Sequence, residues 1–163
     1  MPEPESTRRR TTVALAAATL AAPLLAGCSF FDGDDSDGVS VFSIEPGQCF
    51  EGQTKVKAQL SELAELDCSD EHTQEAYAVV EYQPLDEAAP DTYPGDDALN
   101  KFADGACAGA YRDYVGIDYL DSKLFYTYLV PSARSWDDDD RSVICFVTGA
   151  GEPLQGSAKG SKR

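Results

Sequence analysis

The sequence has few of the residues on which enzyme active sites most often depend. It contains one histidine, His72, and no Gly-x-Ser-x-Gly motif, the motif that would place a nucleophilic serine on a strand-to-helix turn. His72 lies in a polar stretch between Glu71 and Glu75. We therefore expect a surface or structural histidine, bonded to a nearby carboxylate or backbone carbonyl, and not a general base. We predict that the chain is not an enzyme and uses no cofactor.

Basic residues are also scarce. The chain has 13 lysines and arginines against 29 aspartates and glutamates, a formal net charge of −16. This charge repels nucleic acid and the anionic surface of a membrane, so neither a nucleic-acid site nor a basic membrane-binding patch is expected. The charge-free apolar run at residues 13–25 is shorter than the about 20 residues that a membrane-spanning helix needs.

This apolar run instead has the features of an export signal. It follows three arginines at residues 8–10 and leads into Leu-Ala-Gly-Cys at residues 25–28, so small residues precede a cleavage site. These four residues resemble the lipobox of bacterial lipoproteins. The resemblance implies cleavage after Gly27 and lipid on the Cys28 thiol, with acyl chains such as palmitate anchoring the protein to the outer face of the cytoplasmic membrane. The arginines leave the Sec and twin-arginine export routes both open.

Composition divides the chain into four segments. Residues 1–27 are the predicted signal peptide, and residues 28–38 are a lipidated N-terminus with a flexible linker rich in aspartate and glycine. Residues 39–150 form the predicted folded domain. Residues 151–163 combine glycines and a proline with a closing Lys-Arg, which indicates a flexible tail.

Four cysteines remain once Cys28 is assigned to lipid. An even number of cysteines in an exported chain favours two disulfides. The sequence leaves three pairings open; we favour Cys49–Cys68 and Cys107–Cys145, each stabilising the fold by about 3–4 kcal/mol on the loop-entropy model. Zinc binding by these cysteines is not expected, because none lie at C-x₂₋₄-C spacing and one histidine is present.

The folded segment predicts an α+β domain, in which a small antiparallel sheet packs against one main helix. Residues rich in β-branched and aromatic side chains predict strands at 41–44, 76–82, 124–130 and 142–148. Residues 58–68 mix leucine with glutamate and fit a helix or a strand.

The main helix is predicted between Gly95 and Gly116, with Asp96 and Asp97 at its positive end. Its apolar row is predicted to run through Leu99, Phe102, Ala103, Ala106, Ala110 and Tyr114. Cys107 lies beside this row, within reach of the sheet. The small residues at 105–110 predict a thin helix that approaches the strands closely.

An acidic loop follows Trp136. Asp137, Asp138, Asp139 and Asp140 are consecutive, and calcium takes six to eight oxygen ligands. These four carboxylates are therefore weak candidates for a calcium site, although a hydrated turn of like charges accounts for them as well. The tyrosines at 111, 114, 119, 126 and 128 are expected in the core and on the sheet face, with an exposed subset available for interactions.

Four short segments carry a resemblance to a known family: residues 47–50 (Gly-Gln-Cys-Phe), Cys68 with His72 and residues 77–80, the helix that holds Cys107, and Trp136 with residues 140–145. With these segments the chain resembles the septum-formation domain family of actinobacterial exported and membrane-anchored proteins, over roughly residues 45–148. Glu71 replaces the proline, and Asp139 the glycine, of the family pattern. The resemblance agrees with the favoured disulfide pairing.

The resemblance implies a link to cell division or envelope growth and brings no enzymatic activity with it. We expect a non-enzymatic binding or scaffold module, anchored through lipid, whose partners are envelope or division proteins. The alternative is a small extracellular calcium-dependent ligand-binding protein or hydrolase that uses residues 137–140.

Overall fold

The computed structural model describes residues 38–52, 60–84 and 91–163. The predicted signal peptide, Cys28 and the acidic linker up to residue 37 lie outside these ranges. Within the described ranges, the helices are too short or too polar to cross a bilayer.

The described residues form eight strands, two α-helices and two short 3₁₀ turns. The strands are β1 (Gly38–Ser40), β2 (Cys49–Phe50), β3 (Glu62–Leu66), β4 (Glu71–His72), β5 (Gln74–Glu81), β6 (Phe125–Leu129), β7 (Ser142–Thr148) and β8 (Leu154–Gln155). The helices are α1 (Asp96–Val115) and α2 (Ala133–Asp137), and the 3₁₀ turns are Val41–Ser43 and Tyr119–Asp121.

Six strands form an antiparallel sheet in the order β1-β3-β2-β5-β7-β6, and β4 pairs separately with β8. The central pair, β5 and β7, runs from Gln74 opposite Thr148 to Glu81 opposite Ser142, with a bulge between Ala76 and Ala78. The predicted fold class is confirmed: a small antiparallel sheet packs against one main helix, and two disulfides connect its elements.

Strand β7 shows how the sheet divides the core. Val143, Cys145 and Val147 pack into the cluster that contains the buried side chains of α1. Ile144 and Phe146, which alternate with them, belong to a second cluster on the other face, as the period of two in a strand requires. Both faces are buried, which explains why this strand is a continuous apolar run in the sequence.

Helix α1 ends as predicted at Gly116, whose φ of 87° is the left-handed value that glycine adopts without strain. The fully buried side chains follow one row at four-residue steps: Leu99, Ala103, Cys107, Tyr111 and Val115. The predicted row through Ala106 and Ala110 lies at the edge of this face, where both are half-buried. The buried face of the helix is therefore rotated slightly from the predicted one, and Cys107 lies at the centre of the buried row and not beside it.

Gly105 and Gly109 lie on the exposed side of α1. A Cβ atom added at either glycine would meet no heavy atom within 4 Å. The prediction that small residues bring this part of the helix close to the strands is therefore wrong for these two positions.

Both disulfides have the predicted pairing. Cys107 in α1 is bonded to Cys145 in β7, 38 residues away, so one bond joins the helix to the sheet. Cys49 in β2 is bonded to Cys68, 19 residues away, in the turn before β4. On the loop-entropy model each bond stabilises the fold by about 3–4 kcal/mol.

The N-terminal part of the domain differs from its prediction. Residues 41–43 form a 3₁₀ turn and not a strand, because the hydroxyl of Ser40 accepts a hydrogen bond from the N–H of Phe42 and closes the turn. The ambiguous segment at 58–68 contains β3, which pairs with both β1 and β2.

The C-terminal residues are packed and do not form the flexible tail predicted for 151–163. Leu154 and Ala158 are fully buried, and β8 pairs with β4. The N–H groups of Gly160 and Lys162 donate to the last carbonyls of α1, at 2.8 and 2.9 Å. These bonds satisfy carbonyl groups that a helix end leaves without partners, which is why the segment is held there.

Candidate functional site

An apolar groove of about 450 Å³ lies beside the end of the sheet, between the first 3₁₀ turn, strands β6 and β7, and helix α2. Its apolar lining consists of Val41, Phe42, Leu60, Leu129, Val130 and Ile144. Its polar lining consists of Ser61, Ser132, Arg134, Ser135, Asp138, Asp140 and Ser142. An apolar concavity with a few polar groups is the usual form of a binding site.

Phe42 is the exposed aromatic residue of this groove. Its side chain is 67% exposed, although the backbone around it is well fixed. The N–H of Val41 donates to the carbonyl of Ser61 at 2.9 Å, and the hydroxyl of Ser43 donates to the carbonyl of Ser40 at 3.0 Å. A large apolar side chain held in solvent on a fixed turn is suited to contact a partner.

Helix α2 forms the opposite wall. Ser132 and Ser135 form a capping box at its start, in which each side chain accepts from the other residue's backbone N–H. Trp136 is buried, and its indole N–H donates to the carbonyl of Asp91 at 3.2 Å. Its ring also packs edge to face against Tyr82. The region predicted to be an acidic loop thus begins as a short, anchored helix.

The four aspartates of this region have separate environments. Asp139 is fully exposed and has a φ of 63°, the left-handed conformation that glycine favours. An Oδ atom of Asp140 accepts from the N–H of Ser142 at 3.0 Å. In the part of the chain that the structure describes, no three of these carboxylates bring their oxygens together as a metal site requires. Asp138 and Asp140 instead line the groove.

Arg141 holds the turn after α2. Its guanidinium lies 3.8 Å from the centre of the Trp136 ring and donates to the Trp136 carbonyl at 2.8 Å. The planar cation and the aromatic face attract each other electrostatically. Arg141, which lies in the segment 140–145 of the family resemblance, therefore positions the wall of the groove.

A second polar site centres on the fully buried carboxylate of Glu75. One carboxylate oxygen accepts from the hydroxyls of Tyr114 and Ser157, each at 2.6 Å, and the other accepts from the N–H of Ala158 at 2.6 Å. Burial and the hydrogen bond to Glu75 raise the pKa of Tyr114 above its usual value. The carboxylate thereby connects β5, α1 and the C-terminal segment.

His72 lies against this carboxylate and is 1% exposed. Its Nδ1 is 2.9 Å from the carbonyl of Asp70, and its Nε2 is 3.9 Å from Glu75 Oε2. The prediction of a structural histidine with a backbone carbonyl partner is confirmed. Among the described residues, Nε2 has no hydrogen-bond partner.

The role of Glu75 is not among the sequence predictions. The predicted strand starts at Ala76, whereas β5 starts at Gln74. A period of two, extended back by one residue, places Glu75 on the same face as the buried Tyr77. That signal was available in the sequence, but the partners of Glu75 in the C-terminal segment were not.

The tyrosines are mostly part of the core, as expected. Tyr111 is fully buried, and Tyr119 and Tyr126 pack edge to face at 4.7 Å in the cluster under α1. Tyr77 donates its hydroxyl to the carbonyl of Cys107 at 2.8 Å, and burial raises its pKa far above the usual value. These side chains position α1, and the groove is formed by other residues.

Comparison with known proteins gives one match. A family model described as "Septum formation" matches residues 39–161, a range that includes the packed C-terminal segment. The curated proteins and the solved structures contain no significant match.

Proposed function

The chain belongs to the septum-formation family, which gives it a role related to cell division, and on this premise we propose a more specific function. The protein is a non-enzymatic binding module, held by lipid at Cys28 on the outer face of the cytoplasmic membrane. Its binding face is the groove beside Phe42, and its partners are envelope or division proteins.

The exposed apolar groove carries this proposal. A groove with an apolar base and an exposed aromatic side chain favours a partner that inserts apolar side chains, since their burial releases about 25 cal/mol per Å². The polar wall carries two carboxylates, of Asp138 and Asp140, and one guanidinium, of Arg134. Together with the net charge of −16, this favours an apolar segment flanked by basic residues.

The absence of catalysis is supported by the state of the reactive side chains. The one imidazole of the sequence is buried, so a substrate in solvent does not reach it. Cys49, Cys68, Cys107 and Cys145 are all in disulfides, and a disulfide sulfur is no thiolate nucleophile.

The membrane anchor is supported by the sequence of the leader. Leu-Ala-Gly-Cys at residues 25–28 follows an apolar run and three arginines, the arrangement that precedes lipid attachment. Two or more acyl chains, at about 0.8 kcal/mol per buried methylene, hold a small protein firmly. A charge of −16 offers no electrostatic attraction to an anionic membrane, so the lipid supplies the attachment.

The test compares Phe42→Asp with Leu120→Asp. Both side chains are largely exposed, at 67% and 91%, and Leu120 lies in the second 3₁₀ turn, outside the groove lining. Each variant and the wild type are purified from membranes in mild detergent, and the recovered proteins are identified by mass spectrometry.

We expect wild type and Leu120→Asp to recover the same envelope or division proteins, and Phe42→Asp to lose them at unchanged melting temperature. Recovery of the same partners by Phe42→Asp would exclude the groove. Recovery of no envelope or division protein by the wild type would count against the binding module itself.

A further inference from the structure

The buried site around Glu75 contains the donor atoms of a metal site. Sγ of Cys49, a ring nitrogen of His72 and a carboxylate oxygen of Glu75 all lie within 4.8 Å of one another, and all three residues are fully buried. The Sγ of Cys49 is bonded to that of Cys68 in the disulfide, so it is not a free thiolate in this state. One sulfur, one imidazole and one carboxylate therefore meet in the interior.

His72 has the orientation of a metal ligand. Its Nδ1 is within hydrogen-bond distance of the carbonyl of Asp70, at 2.9 Å, so the proton is placed on Nδ1 and the lone pair on Nε2. Such a bond to the outer nitrogen is typical of histidines that bind metals. Nε2 lies 3.9 Å from Glu75 Oε2 and, among the described residues, lacks a hydrogen-bond partner. A buried lone pair without a donor is unfavourable, and a cation would satisfy it.

The carboxylate of Glu75 is held in place by hydrogen bonds. Tyr114, Ser157 and Ala158 donate to its two oxygens, which fixes the carboxylate without using all of its lone pairs. Carboxylates that bind metals are commonly fixed by outer hydrogen bonds of this kind.

From this arrangement we propose that the dithiol form of the chain binds one Zn²⁺ through Cys49, His72 and Glu75. Closing the disulfide and binding the metal exclude each other, because the bonded sulfurs are not thiolates. A dithiol reductant opens the site: the S–S bond breaks, two electrons and two protons pass to the cysteine sulfurs, and the reductant becomes a disulfide. Zinc then displaces the proton of the Cys49 thiol to solvent, and Cys68 keeps its thiol proton.

The donor set selects the metal. Zinc accepts thiolate, imidazole and carboxylate ligands in a tetrahedron, at about 2.0–2.3 Å. Calcium and magnesium take oxygen ligands and have little affinity for sulfur. The distance of 3.9 Å between Nε2 and Oε2 is slightly above the about 3.3–3.5 Å that two such ligands of one zinc have. Both atoms bind one zinc ion once the His72 ring moves towards the fixed carboxylate by about 0.5 Å.

The Cys68→Ser variant tests the site without a reductant. It leaves Cys49 as a free thiol and keeps the Cys107–Cys145 disulfide, which joins α1 to the sheet. The double variants Cys68→Ser/His72→Gln and Cys68→Ser/Glu81→Gln are the test and its matched control, since Glu81 is an exposed residue of the same strand as Glu75. Zn²⁺ binding is measured by calorimetry. Co²⁺ is the spectroscopic probe, because tetrahedral thiolate sites give it visible bands and a charge-transfer band.

We expect Cys68→Ser and the Glu81→Gln control to bind one metal ion per chain, with a thiolate charge-transfer band. His72→Gln lowers the affinity at least about tenfold, and the oxidised wild type lacks the band. A folded Cys68→Ser variant without the band, or an equal affinity with His72→Gln, would overturn the proposal.

A second measurement covers the case in which Cys68→Ser does not fold alone. The reduced wild-type chain is titrated with Zn²⁺ and followed by circular dichroism and metal stoichiometry. The site predicts one equivalent of Zn²⁺ bound and a gain of native structure, because binding to the folded site stabilises it. Absence of both effects would contradict the proposal.

Discussion

The backbone N–H of Ala158 donates a hydrogen bond of 2.6 Å to Oε2 of Glu75, which lies 83 residues earlier in the chain. The other oxygen of the same carboxylate accepts from Tyr114 in α1. One buried side chain therefore holds the C-terminal segment against both the sheet and the main helix.

Glu75→Gln is expected to destabilise the fold by about 2–4 kcal/mol, because a buried acceptor of charge-assisted bonds is replaced by a group that is itself partly a donor. Glu81→Gln, on the exposed end of the same strand, is expected to change the free energy of unfolding by less than about 0.5 kcal/mol. Urea denaturation measures both. Equal midpoints for the two variants would show that Glu75 has no such role.

Removal of residues 157–163 tests whether the C-terminal segment is part of the fold. The truncation deletes two donors to Glu75 and the N–H groups that bond to the end of α1. We expect a loss of at least about 3 kcal/mol in unfolding free energy, and about 1 kcal/mol for Ser157→Ala, which removes one donor. If the truncated chain had the same urea midpoint of unfolding as the wild type, the C-terminal segment would be a flexible tail and not part of the fold.

Much of the fold could be predicted from local patterns. The strand at 142–148 was predicted with its observed bounds, because an apolar, β-branched run between a turn and a glycine is a strong local signal. The end of α1 at Gly116 could also be predicted locally, because the left-handed φ at a helix end favours glycine at that single position. The structure has the two disulfides that the sequence analysis favours, and the family resemblance agrees with this pairing.

The remainder depends on contacts between distant residues. The tail has the composition of a flexible segment, and its packing becomes visible only when Glu75 and Tyr114 are brought near it. The groove combines a turn at Phe42 with a wall at Ser132. No local periodicity relates those two positions. The sequence therefore indicates the four aspartates only as a hydrated turn or as weak candidates for a calcium site, and their position in the groove could not be predicted.

Asp139 tests the turn after α2. Its φ of 63° costs an L-residue about 1–2 kcal/mol, which glycine avoids. Asp139→Gly is therefore expected to stabilise the fold by about 0.5–1 kcal/mol after the larger chain entropy of glycine is subtracted. Asp138→Gly is the control, since Asp138 has a φ of −95° and glycine gains nothing there. Thermal unfolding measures both, and destabilisation by Asp139→Gly equal to that of Asp138→Gly would contradict this account of the turn.

Alkaline pH is expected to weaken the fold through the phenol of Tyr93, whose pKa the folded state raises. Burial and the hydrogen bond to Asp96 raise the pKa of Tyr93 to about 12, from 10.0. The folded state thus holds this proton more tightly than the unfolded state does. The resulting stabilisation is complete below pH 10 and is lost as pH rises from 10 to 12. Denaturation of Tyr93→Phe should show a smaller decline over this interval than the wild type. An identical decline would mean that Tyr93 does not contribute.

The modification of Cys28 decides whether the protein acts at the outer face of the membrane. Intact-mass measurement of the native protein, extracted from membranes with detergent, tests it directly. We predict a chain that begins at Cys28, carries the mass of a diacylglyceryl group on its thiol, and holds its other four cysteines in two disulfides. A chain with an unmodified N-terminus, or recovery from the cytosol with free thiols, would contradict export and lipid anchoring.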